Sequence, residues 1–146
     1  MKNHFVELSE KRGEKLYHMS SNKFNFPDWD YIDRDIGEKR ILGLWTTQVA
    51  NIDGFGNYCY EIEMKEDARI MGLELAYLYK FHCKDTDEDP LIRYRNLRKT
   101  WQSEADVVYL LDGNPEISEI IIINFDKILK FELNDCAKRH TFLKKA

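Results

Sequence analysis

The chain has few cysteines and none of the short motifs that usually announce a chemistry. Its three cysteines, Cys59, Cys83 and Cys136, are odd in number, far apart and without C-x-x-C spacing. That argues against a disulfide framework and a zinc site, and predicts reduced thiols and no metal. No segment approaches the roughly 20 consecutive apolar residues of a membrane span, and Met1–Phe5 lacks the apolar stretch of a signal peptide. The expectation is a cytoplasmic protein with no membrane partner. No internal repeat or low-complexity tract occurs. There is no Walker loop, no G-x-G-x-x-G, no H-E-x-x-H and no G-x-S-x-G. Positive charge is not in excess either. The net charge of −4 argues against broad electrostatic capture of nucleic acid, though not against a local basic patch.

What is present fits one α+β domain over residues 1–146. The length suffices to bury a core, and the 43% hydrophobic and 33% charged composition is that of a globular chain. Aromatics reach 13%, which suggests packing with rings or a site that stacks on planar ligands. Residues 1–14 read as a short helix or loose lead-in. Strands are predicted over 15–20, 40–47, 58–65, 68–71, 105–111, 117–124 and 128–133. The clearest is 58–65, where Tyr58, Tyr60, Ile62 and Met64 alternate with Cys59, Glu61, Glu63 and Lys65, giving one dry and one wet face. Residues 73–81 have helical character, and Leu91, Tyr94, Leu97 and Trp101 mark a second helix. Residues 22–39 hold Phe24, Phe26, Pro27, Trp29 and Tyr31, and read as a long binding loop or broken helix. Residues 85–90 form an acidic loop. The tail from Cys136 is basic and reads as helical.

Two polar groups intrude on apolar strands, which is costly unless something satisfies them. Glu119 shares its strand face with Ile117, Ile121 and Ile123, so it is either an edge position or a carboxylate held in a cleft. His18 lies in the Leu16–Ser20 strand. It is either a hydrogen-bonded structural residue or, because a neutral imidazole both donates and accepts, a contact for a ribose hydroxyl. Trp45 and Phe55, beside Gly54 and Gly56, are core residues or stacking surfaces for a flat heterocycle. Arg93, Arg95, Arg98 and Lys99 read as a solvated helix face, with phosphate contact as the alternative.

In this order the segments resemble the ADP-ribosyltransferase superfamily, in its His-Tyr-Glu branch of diphtheria-toxin and PARP-like enzymes. Leu16-Tyr17-His18-Met19-Ser20 is similar to the first-strand motif, and Gly43-Leu44-Trp45-Thr46-Thr47 to the second. Phe55-Gly56 and the strand from Tyr58 resemble the stacking aromatic and its neighbouring strand. Ser118-Glu119-Ile120-Ile121-Ile122-Ile123-Asn124 resembles the catalytic-glutamate strand. The likeness spans about residues 15–133. Met19 replaces the usual glycine, Phe55 the usual tyrosine (Tyr58 being an alternative for that role), and Ile117 stands where arginine-modifying relatives have glutamate, which disfavours arginine as target.

The resemblance implies a compact split β-sandwich of two small mixed sheets flanked by two or three helices, with NAD bound as substrate between the sheets. His18 would hold the adenosine ribose, Phe55 and Trp45 would stack on nicotinamide, and Met19 and Ser20 would lie near its amide. Glu119 would be the catalytic carboxylate. The implied activity is mono-ADP-ribosyl transfer, a glycosyltransferase reaction, to a macromolecular acceptor, protein ahead of nucleic acid. Such a protein would be a toxin, effector or phage modifier working in the cytoplasm, its own or a host's. The alternatives are a weak or inactive interaction or inhibitor protein on the same fold, and an NAD-consuming enzyme that modifies nucleic acid.

Overall fold

The ladder of backbone hydrogen bonds divides the strands into two sheets. The computed structural model describes residues 5–33, 38–49, 58–82, 88–111 and 119–134. The strands are β1 (Val6–Glu7), β2 (Leu16–Ser20), β3 (Leu44–Thr46), β4 (Tyr58–Met64), β5 (Ile70–Glu74), β6 (Val107–Leu111), β7 (Glu119–Ile122) and β8 (Ile128–Asn134). The helices are α1 (Trp29–Asp33), α2 (Leu75–His82) and α3 (Pro90–Gln102). Five strands form a sheet in the order β1-β5-β6-β7-β3, and three form a second in the order β2-β4-β8. The α+β class is as expected. Only the larger sheet is mixed, because β5 and β6 run parallel while every other pairing is antiparallel. That parallel pair needs a long crossover, and α2 and α3 supply it.

The core follows the apolar runs. Ile120, Ile121, Ile122 and Ile123 have no solvent exposure, nor have Val107 and Val108 beside them. This is the continuous apolar pattern of a strand covered on both faces. In α3, Asp89 caps the helix by accepting the Leu91 N–H at 3.0 Å, and Pro90 takes the first turn, where its missing N–H costs nothing. Residues 85–90, read as an acidic loop, therefore end in a helix cap. Tyr94 and Trp101 are buried along the expected stripe.

Other expectations shift. Instead of a strand over 40–47, residues Glu38–Leu42 form a 3-10 turn and only Leu44–Thr46 is strand. Ile41 and Leu42 are buried there, and Gly43 marks the switch. A Cβ at Gly43 would sit 2.3 Å from the Ile122 carbonyl oxygen and 2.8 Å from Ile121 Cγ2, so only glycine lets this backbone lie against β7. The strand expected at 68–71 runs Ile70–Glu74, and the helix after it starts at Leu75. In the lead-in, β1 and a 3-10 turn at Ser9–Lys11 replace the expected helix or loose segment. On β4, Tyr60 and Ile62 are buried, while Glu61 and Glu63 pair with Lys130. Cys59 departs from the wet-face pattern, being fully buried. The Gly54 and Gly56 turn, Ile117, Cys83 and the tail from Cys136 lie outside the described residues.

Candidate functional site

Among the described residues one backbone bridge joins the two sheets. Tyr17 of β2 and Thr47, just past β3, exchange backbone hydrogen bonds of 2.8 and 2.9 Å. Continuing that antiparallel pairing would set Met19 against Trp45. Instead the His18 imidazole takes the place of the ladder, with Nδ1 2.7 Å from the Trp45 carbonyl oxygen. The strands part at the point where a side chain substitutes for a backbone donor.

That bond orders a chain of partners. A carbonyl only accepts, so Nδ1 carries the proton and Nε2 is the acceptor. The Tyr31 hydroxyl lies 3.1 Å from Nε2 and donates to it. The Ser20 hydroxyl, 3.1 Å from the Tyr31 oxygen, donates in turn, and the Asn22 N–H donates to Ser20 Oγ at 3.1 Å. Burial pushes the imidazole below its ordinary pKa, against the opposing pull of the Trp45 carbonyl, and this favours the neutral ring the chain of bonds requires. Rings surround it. Phe24 stacks on Tyr31 at 4.1 Å and meets His18 edge-on at 5.9 Å, while Tyr60 stacks on Phe131 at 4.8 Å.

Glu119 opens β7. It pairs with Leu110 on β6, and the β3–β7 register, carried on by one residue, sets Thr47 on its other side. Glu119, Thr47 and Tyr17 thus lie on three successive strand positions, which puts the backbones of Glu119 and Tyr17 about 10 Å apart at the usual strand spacing. His18 is the next residue. The Glu119 side chain is half-buried and has no hydrogen-bond or ion-pair partner among the described residues. Trp45, half-buried, pairs with Ile121 on the same sheet face and is a diagonal neighbour of Glu119.

The remaining sequence-predicted residues fall near by or outside. Ser20 is buried and pairs with Tyr58, and Met19 pairs with Cys59, so His18, Met19, Ser20, Trp45 and Tyr58 gather around the parting of the sheets. Phe55 lies outside the described residues. Sequence reasoning missed Tyr31 as a site residue. Its segment stands out as an aromatic-rich binding loop, but no periodicity distinguishes one ring from another there.

The basic stretch of α3 is only in part a solvated face. Arg93 is buried, and Arg98 donates to Asp33 and to the Ile41 carbonyl, both at 3.0 Å, with its guanidinium 4.2 Å over the Trp29 ring. Arg95 also pairs with Asp33, at 4.0 Å, so α1 is held to α3 by charge. Lys99 is exposed. At the far end of the large sheet, Asp106 is buried. It accepts from the Arg69 backbone N–H at 2.7 Å, from Arg69 Nε and Nη2 at 3.2 and 3.0 Å, and from Asn124 Nδ2 at 2.7 Å. Burial raises its pKa, but these donors outweigh burial and hold it below the ordinary carboxylate value. This network ties β5, β6 and β7 together and is structural.

No group of three or more metal-ligating side chains occurs among the described residues, and none of the described helices is long and apolar enough to cross a membrane. The arrangement defines an α+β protein in which a histidine and a carboxylate without a partner among the described residues flank the junction of two sheets. No protein-family profile, curated protein or solved structure matches the chain.

Proposed function

We propose that the chain is an NAD-dependent mono-ADP-ribosyltransferase of the split-sandwich type. The observation that carries this is the Tyr17–Thr47 bridge, which leaves a single strand between the His18 strand and Glu119 at the place where the sheets diverge. A dinucleotide lying along that junction would meet His18 with its adenosine ribose, and Ser20, Trp45 and Glu119 with its nicotinamide end. The absence of a partner for Glu119 among the described residues leaves its oxygens available to a ribose hydroxyl.

In the proposed reaction the C1′–N bond between ribose and nicotinamide breaks. The bond's electron pair leaves with nicotinamide and neutralises its ring. Positive charge then develops on the ribose as an oxocarbenium ion, as in glycoside hydrolysis. Glu119, accepting from the 2′-hydroxyl, stabilises that charge. The acceptor's nucleophile forms the new bond to C1′ and releases its proton to solvent. A carboxylate so placed is worth about 10²–10³ in rate by analogy with other preorganised electrostatic groups. Glu119→Gln should therefore bind NAD and release nicotinamide at least about 10²-fold more slowly. Unchanged release would remove Glu119 from the mechanism.

Tyr31 favours a second reading. Its hydroxyl already occupies the His18 and Ser20 groups that NAD would use. A non-catalytic interaction protein would have no need to free them. Calorimetric titration separates the two, since only the enzyme binds NAD. The inward ion pairs of Arg95 and Arg98, and the burial of Arg93, withdraw most of the charge that pointed to a nucleic-acid acceptor.

A further inference from the structure

β8 is the outer strand of the smaller sheet and, among the described residues, has a strand neighbour only in β4. Its apolar residues do not end at the core. Leu129 is 67% exposed and Leu133 44%, with half-buried Phe131 between them, and Phe26, 48% exposed, packs edge-on against Phe131 at 5.7 Å. A strand edge that is open among the described residues and carries exposed leucines is a template for pairing with another strand.

The charges on β8 select what pairs with it. Lys130 and Glu132 occupy the opposite face from Phe131, where Lys130 lies 3.5 Å from both Glu132 and Glu63. Consider a second copy of β8 laid antiparallel about a two-fold axis normal to the sheet. To keep both apolar faces on one side, residues of like parity must oppose each other. Centring the axis on Lys130 sets lysine against lysine, and centring it on Glu132 sets glutamate against glutamate. Centring it on Phe131 sets Lys130 against the partner's Glu132 twice over and the two Phe131 rings against each other. One register satisfies both faces. Leu129 is the extra residue at a bulge opposite Glu63 and Met64, which breaks the alternation of faces there, so the regular pairing spans Lys130–Glu132 and the exposed Leu129 lies at its margin.

We propose that two copies of this chain associate through β8 in this Phe131-centred antiparallel register, joining their three-stranded sheets into one six-stranded sheet. The interface is isologous and short, so the dimer is concentration-dependent. It does not depend on the enzymatic reading.

Sedimentation equilibrium of the full chain over a dilution series tests it. The wild type should shift from monomer to dimer with concentration. Glu132→Lys, which leaves Lys130 its contacts with Glu61 and Glu63, should keep the native circular dichroism spectrum and self-associate about tenfold more weakly, because lysine then faces lysine at two symmetry-related positions. Lys130→Glu should weaken association equally. An equimolar mixture of the two variants should restore it as a heterodimer, since every lysine then faces a glutamate. If Lys130→Glu does not fold, Glu132→Lys alone decides. A wild type that stays monomeric throughout, or a folded Glu132→Lys that dimerises as strongly as the wild type, overturns the proposal.

Discussion

Replacing Tyr31 with phenylalanine removes one oxygen and leaves the ring, whose 4.1 Å stack on Phe24 is kept. Two hydrogen bonds of 3.1 Å disappear, one to His18 Nε2 and one from Ser20 Oγ. Each neutral pair contributes about 1 kcal/mol net, and the abandoned Nε2 acceptor adds a desolvation cost, so the loss should be about 2 kcal/mol. For a chain of this size that lowers Tm by about 4–8 °C. Thermal denaturation followed by circular dichroism at about pH 8 measures it cleanly, because the imidazole is then neutral in both the folded and unfolded states. The same variant bears on function. If NAD binds where proposed, the tyrosine hydroxyl competes with the ribose for His18, and removing it should tighten NAD by about tenfold, the equivalent of one such bond. A second substitution, His18→Ala, should abolish that gain. A Tyr31→Phe protein with the wild-type Tm would refute the bonded chain from Asn22 to Trp45. A destabilised variant with unchanged NAD affinity would keep the chain and remove His18 from the binding site.

Gly43→Ala places a methyl 2.3 Å from the Ile122 carbonyl oxygen, a backbone atom that cannot swing away, and should cost about 2 kcal/mol or more, read as a lower urea midpoint with unchanged slope. Asp106→Ala strips four donors of their acceptor and should cost about 3 kcal/mol, whereas Glu119→Gln should change stability by less than about 0.5 kcal/mol because its carboxylate has no partner among the described residues; urea titration of each variant checks both. The folded-state pKa of His18 lies below its ordinary value of 6.5, so the unfolded chain takes up the proton first. The stability this supplies is complete above that value and drains away as pH falls through it toward the folded pKa. The difference in unfolding free energy between wild type and His18→Gln should therefore shrink between neutral and mildly acidic pH.

Much of the scaffold is legible in the sequence because its signals are local. The isoleucine run from Ile120 fixes a strand covered on both sides, and Leu91, Tyr94 and Trp101 fix the inward face of α3 within a residue or two of its ends. Where tertiary contacts decide, the local signal misleads. Residues 40–42 read as the start of a strand, yet Ile41 and Leu42 are drawn beneath α3 and the chain turns before Gly43. Arg95 and Arg98 look solvated in a charged run, but Asp33, far away in sequence, claims them. Motif order suggests that His18 and Glu119 line one site. It does not suggest the interposition of Tyr31, since a hydroxyl's partners depend on where α1 is pinned rather than on anything in its own segment.

The order of the strands also sets when the protein can fold. β3 rests on β7, and β4 rests on β8, so each sheet is completed by residues synthesised near the end of the described chain. β1, β5 and β6 can pair before β7 is made, and β2 with β4 before β8, but β3 has no partner within its own sheet until β7 exists. Contacts between such distant segments must wait for loop closure, and that makes folding slow and late. Until β7 and β8 arrive, the apolar strands awaiting them are uncovered, and a chain cut short there would be a substrate for chaperones and proteases rather than a smaller working protein.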